Sequence, residues 1–386
     1  MELADANLQA LSDYFVARRE AFVSFTRALV EAESPSGDEA GSQAVVSLLA
    51  SAAEAINVIT KIDRIASENY GEHLRLTAFG DSRERPIVII GHTDTVHPRG
   101  SLQRSPWRLE RNRAYGPGIF DMKANCALAL EVARALGVAG LSLRRPLVLL
   151  FTCDEETGSR TGKQLVEAEA RRAHAVLVLE PPASGGRVKT GRKGTGIFSI
   201  KACGRAAHAG LEPQKGASAI LELARLTEKL HSLNGRPDGI SVNVGVFHGG
   251  TLSNVVAAEA CAEVDVRFST GDEAARIESE FRNLRPNDPR VQLTVTGGIN
   301  RPPLERNDKV LALYEQARDI ARRLDFDLGE AQVGGASDGN FAAAAGAPVL
   351  DGLGIDGDGA HATHEHILID DIPRRGALLA GLIASL

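Results

Sequence analysis

Three short apolar runs constrain this chain's fold more than anything else in it. They are Pro86-Ile87-Val88-Ile89-Ile90, Pro146-Leu147-Val148-Leu149-Leu150-Phe151 and Ala175-Val176-Leu177-Val178-Leu179. Each is continuous rather than alternating, and each is short. That is the pattern of a strand covered on both faces. Helix-like stretches at 122–136 and 160–172 separate the runs, and amphipathic stretches at 12–32 and 41–55 precede them. The alternation predicts an α/β layered domain with a mostly parallel central sheet.

After about Gly194 the pattern changes. Residues 195–203, 239–247 and 254–268 read as strands, the last through the alternation Glu263-Val264-Asp265-Val266-Arg267-Phe268. Helical stretches at 216–232 and 272–285 lie between them. This is α+β in style, and it ends near a Gly297-Gly298 turn and Pro302-Pro303. The α/β style then resumes with a helix at 308–324, a strand at Pro348-Val349-Leu350 and a closing helix at 371–385. The expected organisation is one domain of 1–193 and 304–386, with a smaller α+β domain, 194–303, inserted into it.

Composition narrows the function classes. The 386 residues carry a formal charge of -6 and only 4% aromatics, with no long basic stripe. Neither stacking platforms nor phosphate-tracking surfaces are written here, so nucleic acid is not an expected partner. No run of eighteen apolar residues is present to span a membrane. Residues 1–30 are helix-like and broken by charges, unlike a signal peptide, which points to the cytoplasm. The four cysteines, Cys126, Cys153, Cys203 and Cys261, form no Cys-x-x-Cys pair and read as free thiols in a reducing compartment.

The chemistry gathers where the apolar runs end. His92 and Asp94 follow the first run, Asp154-Glu155-Glu156 follows the second, and Glu180 ends the third. Asp121 stands on a glycine-rich loop before a helical stretch. Open α/β sheets bind ligands beyond the carboxyl ends of their strands. Acids gathered there repel one another unless a cation neutralises them. Taken singly, each has an ordinary reading. Asp121 could cap a helix, Asp154-Glu155-Glu156 could be first-turn acids, and His92 could be a satisfied core histidine. Asp94, two residues after His92, could hold the imidazole by its second ring nitrogen, as carboxylates do for metal-ligating histidines.

These residues resemble the di-zinc peptidases and deacylases that include glutamate carboxypeptidase, aminoacylase, acetylornithine deacetylase and succinyl-diaminopimelate desuccinylase. The resemblance runs over nearly the whole chain and is closest to glutamate carboxypeptidase. It is carried by Gly-His-x-Asp-x-Val at 91–96, Tyr-Gly-Pro-Gly-Ile-x-Asp at 115–121 and Asp-Glu-Glu-x-Gly-Ser at 154–159. Glu-Pro at 180–181, Ala-His-Ala-Gly at 207–210 and a late histidine complete it. Ala124 departs from the glycine common in relatives.

The resemblance implies two Zn2+ per chain, with Co2+ or Mn2+ as substitutes. His92 and Glu180 would hold one ion, Glu156 and His361 the other, and Asp121 would bridge them. Asp94 would orient His92, and Glu155 would be the general base. The late histidine is open from spacing alone, because His361, His364 and His366 cluster. The family pattern of a Gly-x-His with an acid a few residues on selects His361. The inserted domain would be a dimerisation lid of a homodimer. In it His208 would polarise the substrate carbonyl across the dimer, Asn254 would match a lid asparagine, and Arg267 or Arg301 would bind a substrate carboxylate. The loop 334–339 would face the substrate. A cis peptide would follow Asp121.

The implied reaction is metal-dependent hydrolysis of an amide that releases a C-terminal amino acid, glutamate foremost, from an acyl or peptidyl donor. A glutamate at the place of Glu180 tends to accompany carboxypeptidases and deacylases in this family. The alternative in the same class is an N-acyl amino acid deacylase, of the acetylornithine deacetylase or aminoacylase kind. A catalytically silent metabolite binder is a remoter one, and the intact Glu155 speaks against it. A nucleotide-binding reading rests on Gly191-Arg192-Lys193-Gly194-Thr195-Gly196, which opens a strand rather than a helix and so satisfies no phosphate-binding fingerprint.

Overall fold

The computed structural model describes residues 3–235 and 239–386. Their contacts divide the chain into two compact units. One comprises Met1–Gly191, Arg306–Val333 and Ser337–Leu386, and the other Arg192–Glu305 with Gly334–Ala336.

The first part of the larger unit runs α1 (Asp5–Glu31), α2 (Glu39–Glu54), β1 (Ile59–Ser67), β2 (Gly71–Ala78), β3 (Ile87–His92), β4 (Arg108–Glu110) and β5 (Arg113–Tyr115). It continues with α3 (Ala124–Val138), β6 (Leu147–Thr152), α4 (Gly162–Arg172), β7 (Ala175–Val178) and β8 (Val188–Arg192). The smaller unit holds β9 (Gly194–Cys203), α5 (Ala219–His231), β10 (Ser241–Gly249), β11 (Glu259–Phe268), α6 (Gly271–Arg282) and β12 (Gln292–Arg301). The chain then returns through α7 (Asp308–Arg323), β13 (Glu330–Val333), α8 (Asp338–Ala344), β14 (Val349–Leu350), β15 (Gly357–Asp358), β16 (His366–Leu368) and α9 (Asp371–Ser385).

The central sheet has the order β1-β2-β6-β3-β7-β14. From β6 to β14 all pairings are parallel, and only β1 and β2 run antiparallel. This is the mostly parallel sheet that the three apolar runs predict. Every residue of β3, β6 and β7 is buried, because helices cover both faces. Since β6 and β7 flank β3 on opposite sides, β3 lies at a topological switch point, where a crevice opens beyond the strand ends. The register puts His92 opposite Thr152 and Ile90 opposite Val178. The chain beyond each of the three strands therefore emerges at one level of one edge.

A second sheet, β15-β16-β5-β4, matters for a different reason. Its strands β5 and β16 pair antiparallel, His366 opposite Tyr115. The loop leaving β5 and the loop entering β16 consequently start side by side.

In the smaller unit β10-β11-β9-β12 form an all-antiparallel sheet. Alternate residues of β11, Ala260, Ala262, Val264, Val266 and Phe268, are buried against α5 and α6. Phe198 stacks on Phe281 with ring centroids 4.1 Å apart.

Two sequence expectations need correction here. Gly297-Gly298 is not a domain-ending turn but lies inside β12, opposite Phe198 and Ile197. A side chain at Gly297 would meet the backbone of β9 at 2.2 Å, so a glycine marks close strand approach rather than a bend. Residues 254–258 are also not strand; β11 begins at Glu259. The hairpin β1–β2 was not anticipated.

Candidate active site

The site is built where β3, β6 and β7 end. His92 is the last residue of β3 and is buried. Its Nδ1 lies 2.9 Å from the Asp94 carbonyl oxygen and 3.4 Å from the Asp94 carboxylate. Its Nε2 lies 3.0 Å from Asp121 Oδ1 and 3.6 Å from Glu180 Oε1. On the other side of Asp121, Oδ2 is 3.5 Å from His361 Nε2, which is 3.2 Å from Glu156 Oε2. Two triads result, His92–Asp121–Glu180 and Asp121–Glu156–His361, in each of which the three donor atoms lie within 4.8 Å of one another. Asp121 belongs to both. His364 and His366 join neither group. His366 sits in β16 and packs on Tyr115, ring centroids 5.0 Å apart.

The local conformations serve this convergence. Asp121 caps no helix. It lies at a non-helical kink just before α3, and its peptide bond to Met122 is cis. His361 is held at φ +64° beside Gly359 at φ +84°, a backbone region that costs a non-glycine residue free energy and clusters at functional sites. Of the three consecutive acids, only Asp154 behaves as an ordinary helix acid. Its carboxylate accepts from Thr161 N, 2.6 Å, and Gly162 N, 3.2 Å, at the start of α4. Glu155 is buried and Glu156 is turned to His361.

Asp94 does more than flank His92. Its carboxylate accepts from the backbone N–H groups of Glu155, 3.2 Å, and Glu156, 3.1 Å, and from the Ser36 hydroxyl, 2.6 Å. The histidine's shorter contact is to the Asp94 carbonyl because the carboxylate is drawn to those donors. Ser36 is one of the residues sequence reasoning missed. So is Glu365, a buried carboxylate that accepts from Gly118, Phe120 and Asp121 N–H groups. The family pattern used its acid only as a marker for His361.

The electrostatics follow from acids packed around imidazoles. Burial works against charge on His92, but hydrogen bonds to Asp121 and Asp94 outweigh it and hold its pKa well above the ordinary value. The Asp121 and Glu156 carboxylates raise His361 to about 10. Asp121 is lowered despite burial by the His361 and His92 hydrogen bonds. One acceptor is left over: Glu156 Oε1 is buried with no hydrogen-bond partner. A buried carboxylate oxygen without a donor is costly, and a cation within the Asp121–Glu156–His361 triad would satisfy it. The residues present thus fit a pair of divalent ions sharing one carboxylate.

Known proteins carry the same arrangement of chain. The profile of peptidase family M20/M25/M40 matches residues 88–385. The chain belongs to that family. It is 31% identical to carboxypeptidase G2 of Pseudomonas sp. (strain RS-16) over 305 residues, covering 78% of this chain and 74% of that protein. It is 28% identical to acetylornithine deacetylase of Myxococcus xanthus over 321 residues, 77% and 79% of the two chains. Among solved structures, aminopeptidase PepT of Bacillus cereus superimposes with a TM-score of 0.77 at 20% identity, over 95% of this chain and 98% of that one. The YXEP protein of Bacillus subtilis, described as a dinuclear metal-binding peptidase, does so with a TM-score of 0.68 at 14% identity, with the same coverages. This M20-family chain is a hydrolytic enzyme of carboxypeptidase-like or deacetylase-like kind.

The remaining sequence candidates lie in the smaller unit. His208 is exposed, and its Nδ1 accepts from the N–H groups of Gly210 and Leu211, both 3.2 Å. In the neutral ring the proton then sits on Nε2, facing away from those bonds. Asn254 is exposed on an adjacent turn and its carbonyl accepts from Ala209 N–H. Arg301 is buried at the end of β12. Arg267 makes a bidentate pair with Asp265 of its own strand, 2.7 and 2.9 Å, so its guanidinium fork is already engaged. Residues 334–336 belong to the smaller unit, while Ser337 caps α8. The glycine-rich stretch 191–196 joins β8 to β9 and opens no helix. Among the described residues no helix is long and apolar enough to cross a membrane.

Proposed function

We propose that the chain is a dinuclear zinc amidohydrolase that releases a C-terminal amino acid, glutamate foremost, from an acyl or peptidyl donor. The observation that carries the metal assignment is the pair of three-donor groups sharing Asp121, with the orphaned Glu156 Oε1 inside one of them. His92, Asp121 and Glu180 would hold one ion, and Asp121, Glu156 and His361 the other. When bound, the ions would polarise the amide carbonyl and lower the pKa of the attacking water.

The chain's own groups do the rest. Glu155 is the proposed general base. Its carboxylate takes the proton that the attacking water loses as its oxygen bonds to the carbonyl carbon. It delivers that proton to the amine nitrogen as the C–N bond breaks. Asp94 fixes Glu155 and Glu156 through their backbone N–H groups, so acid and ligand are set by one carboxylate. His208 is proposed to donate from Nε2 to the substrate carbonyl oxygen, from a second copy of the chain, with Asn254 on the adjacent turn. Arg301 is the proposed partner of the substrate carboxylate, since a guanidinium fork suits bidentate binding.

Similarity to carboxypeptidase G2 supports the carboxypeptidase reading, and similarity to acetylornithine deacetylase supports the deacylase alternative. A hydrolysis panel of N-acyl-Glu, N-acyl-Ala and N-acetylornithine with zinc present separates them. Preference for N-acyl-Glu is the expected result. Preference for N-acetylornithine would replace the first reading with the second, and no hydrolysis of any member would count against both.

A further inference from the structure

We propose that Glu365 is a positioning residue, one that sets the shared aspartate Asp121 and the ligand His361 relative to each other. The inference rests on the dinuclear reading above and concerns a residue outside its ligand set.

The observation is a carboxylate used to capacity. Glu365 Oε1 accepts from Phe120 N and Asp121 N, both 2.9 Å, and Oε2 accepts from Gly118 N, 2.7 Å. The His97 imidazole donates to Oε2 from Nε2 at 2.6 Å. The side chain is 1% exposed. Gly118 at φ +69° turns the loop so that its N–H groups converge, forming the kind of backbone nest that binds anions. Here the anion is part of the chain.

Its place in the fold gives this nest a task. Glu365 lies four residues after His361, and the loop between them is closed by Glu365 N–H on Ala362 O, 3.3 Å. Its own backbone carbonyl accepts from Gly116 N–H at 3.2 Å. The loop carrying His361 is therefore fastened to the loop carrying Asp121 by side chain and main chain of a single residue. The two triads depend on it unequally. In His92–Asp121–Glu180, one donor ends the central strand β3 and another stands just beyond β7. In Asp121–Glu156–His361, two of three donors stand on the loops that Glu365 joins.

Glu365→Gln keeps the size but presents an amide NH2 to the N–H donors, which breaks part of the nest. Partners outside the ligand shell typically control metal affinity by roughly tenfold to a hundredfold. The test titrates the metal-free full-length chain with Co2+, following visible absorption and equilibrium dialysis, with melting of the metal-free protein alongside. The wild-type chain is expected to take two equivalents. In Glu365→Gln one equivalent should bind as in wild type, while the other weakens by roughly tenfold to a hundredfold and its absorption band changes. If that variant does not fold, His97→Ala, which removes one contact of the four, carries the test. It should weaken the same equivalent, by less. Isotherms that superimpose on wild type overturn the proposal. So does equal weakening of both equivalents, which denies any selective hold on the His361 group, or a lower metal-free melting temperature with unchanged Co2+ binding, which assigns Glu365 to folding alone. A wild-type chain that binds fewer than two equivalents overturns the dinuclear reading itself, and this inference with it.

Discussion

At the scale of single residues, the site separates ligands from the groups that hold them. Glu155 and Glu156 are neighbours in sequence, and of the two only Glu156 belongs to one of the three-donor groups proposed to hold metal. Glu155→Gln should therefore retain two equivalents of metal and lose about 10²–10⁴-fold in kcat, the usual contribution of a positioned general base. Metal content and steady-state rates on one preparation check this, and full activity in the variant would end the general-base assignment. Ser36→Ala removes the hydroxyl on Asp94 without touching any ligand. The cost expected is about 1 kcal/mol of stability, the usual worth of one hydrogen bond, or somewhat more because the acceptor is charged. Urea denaturation of the metal-free protein measures it.

At the scale of elements, stability and site geometry meet in the loop after β5. Gly118 takes φ +69°, and a Cβ there would lie 2.3 Å from Thr95 Cγ2. Gly118→Ala should lose about 1–2 kcal/mol from the left-handed backbone alone, and more from the displaced threonine, with metal affinity falling in parallel. Unchanged stability and metal binding would show that the loop tolerates a different shape. In the smaller unit, Phe281→Ala empties a ring-sized space beside Phe198 and should cost about 3–5 kcal/mol, read from the denaturation of that unit. What the sequence revealed of these elements follows their environment. The strands β3, β6 and β7 were legible because both faces are buried and their residues are apolar up to the carboxyl ends. The hairpin β1–β2 was not, because β1 is half exposed and mixes Lys61, Asp63 and Arg64 with its apolar residues. Strand β12 was misread at Gly297-Gly298, where a glycine serves close packing rather than a turn. The metal-ligand candidates stood out because His and acidic residues, which suit a divalent ion, follow the apolar runs in the order of the family motifs. Glu365 and Ser36 were not, because their roles consist of contacts to distant backbone and side chains that no local pattern records.

At the scale of the whole molecule, the smaller unit leaves β10 as an edge strand bearing the exposed apolar residues Val246 and Phe247. Open apolar edges are a liability that proteins cover, and the proposed homodimer would cover this one with a second copy. Sedimentation equilibrium should give twice the 40.9 kDa chain mass, and Val246→Lys with Phe247→Lys should shift it towards the monomer. If His208 is supplied by that partner, His208→Ala should lower kcat by about 10²–10³-fold, as for one oxyanion donor, with metal content unchanged. A fully active monomer would contradict both statements. The central claim is that Asp121 joins two metal triads into one dinuclear centre. Metal analysis of the purified chain tests it most directly. Two equivalents of zinc per chain, with activity lost to a chelator and restored by zinc, is the expected result; one equivalent or none, with activity indifferent to chelators, would contradict it.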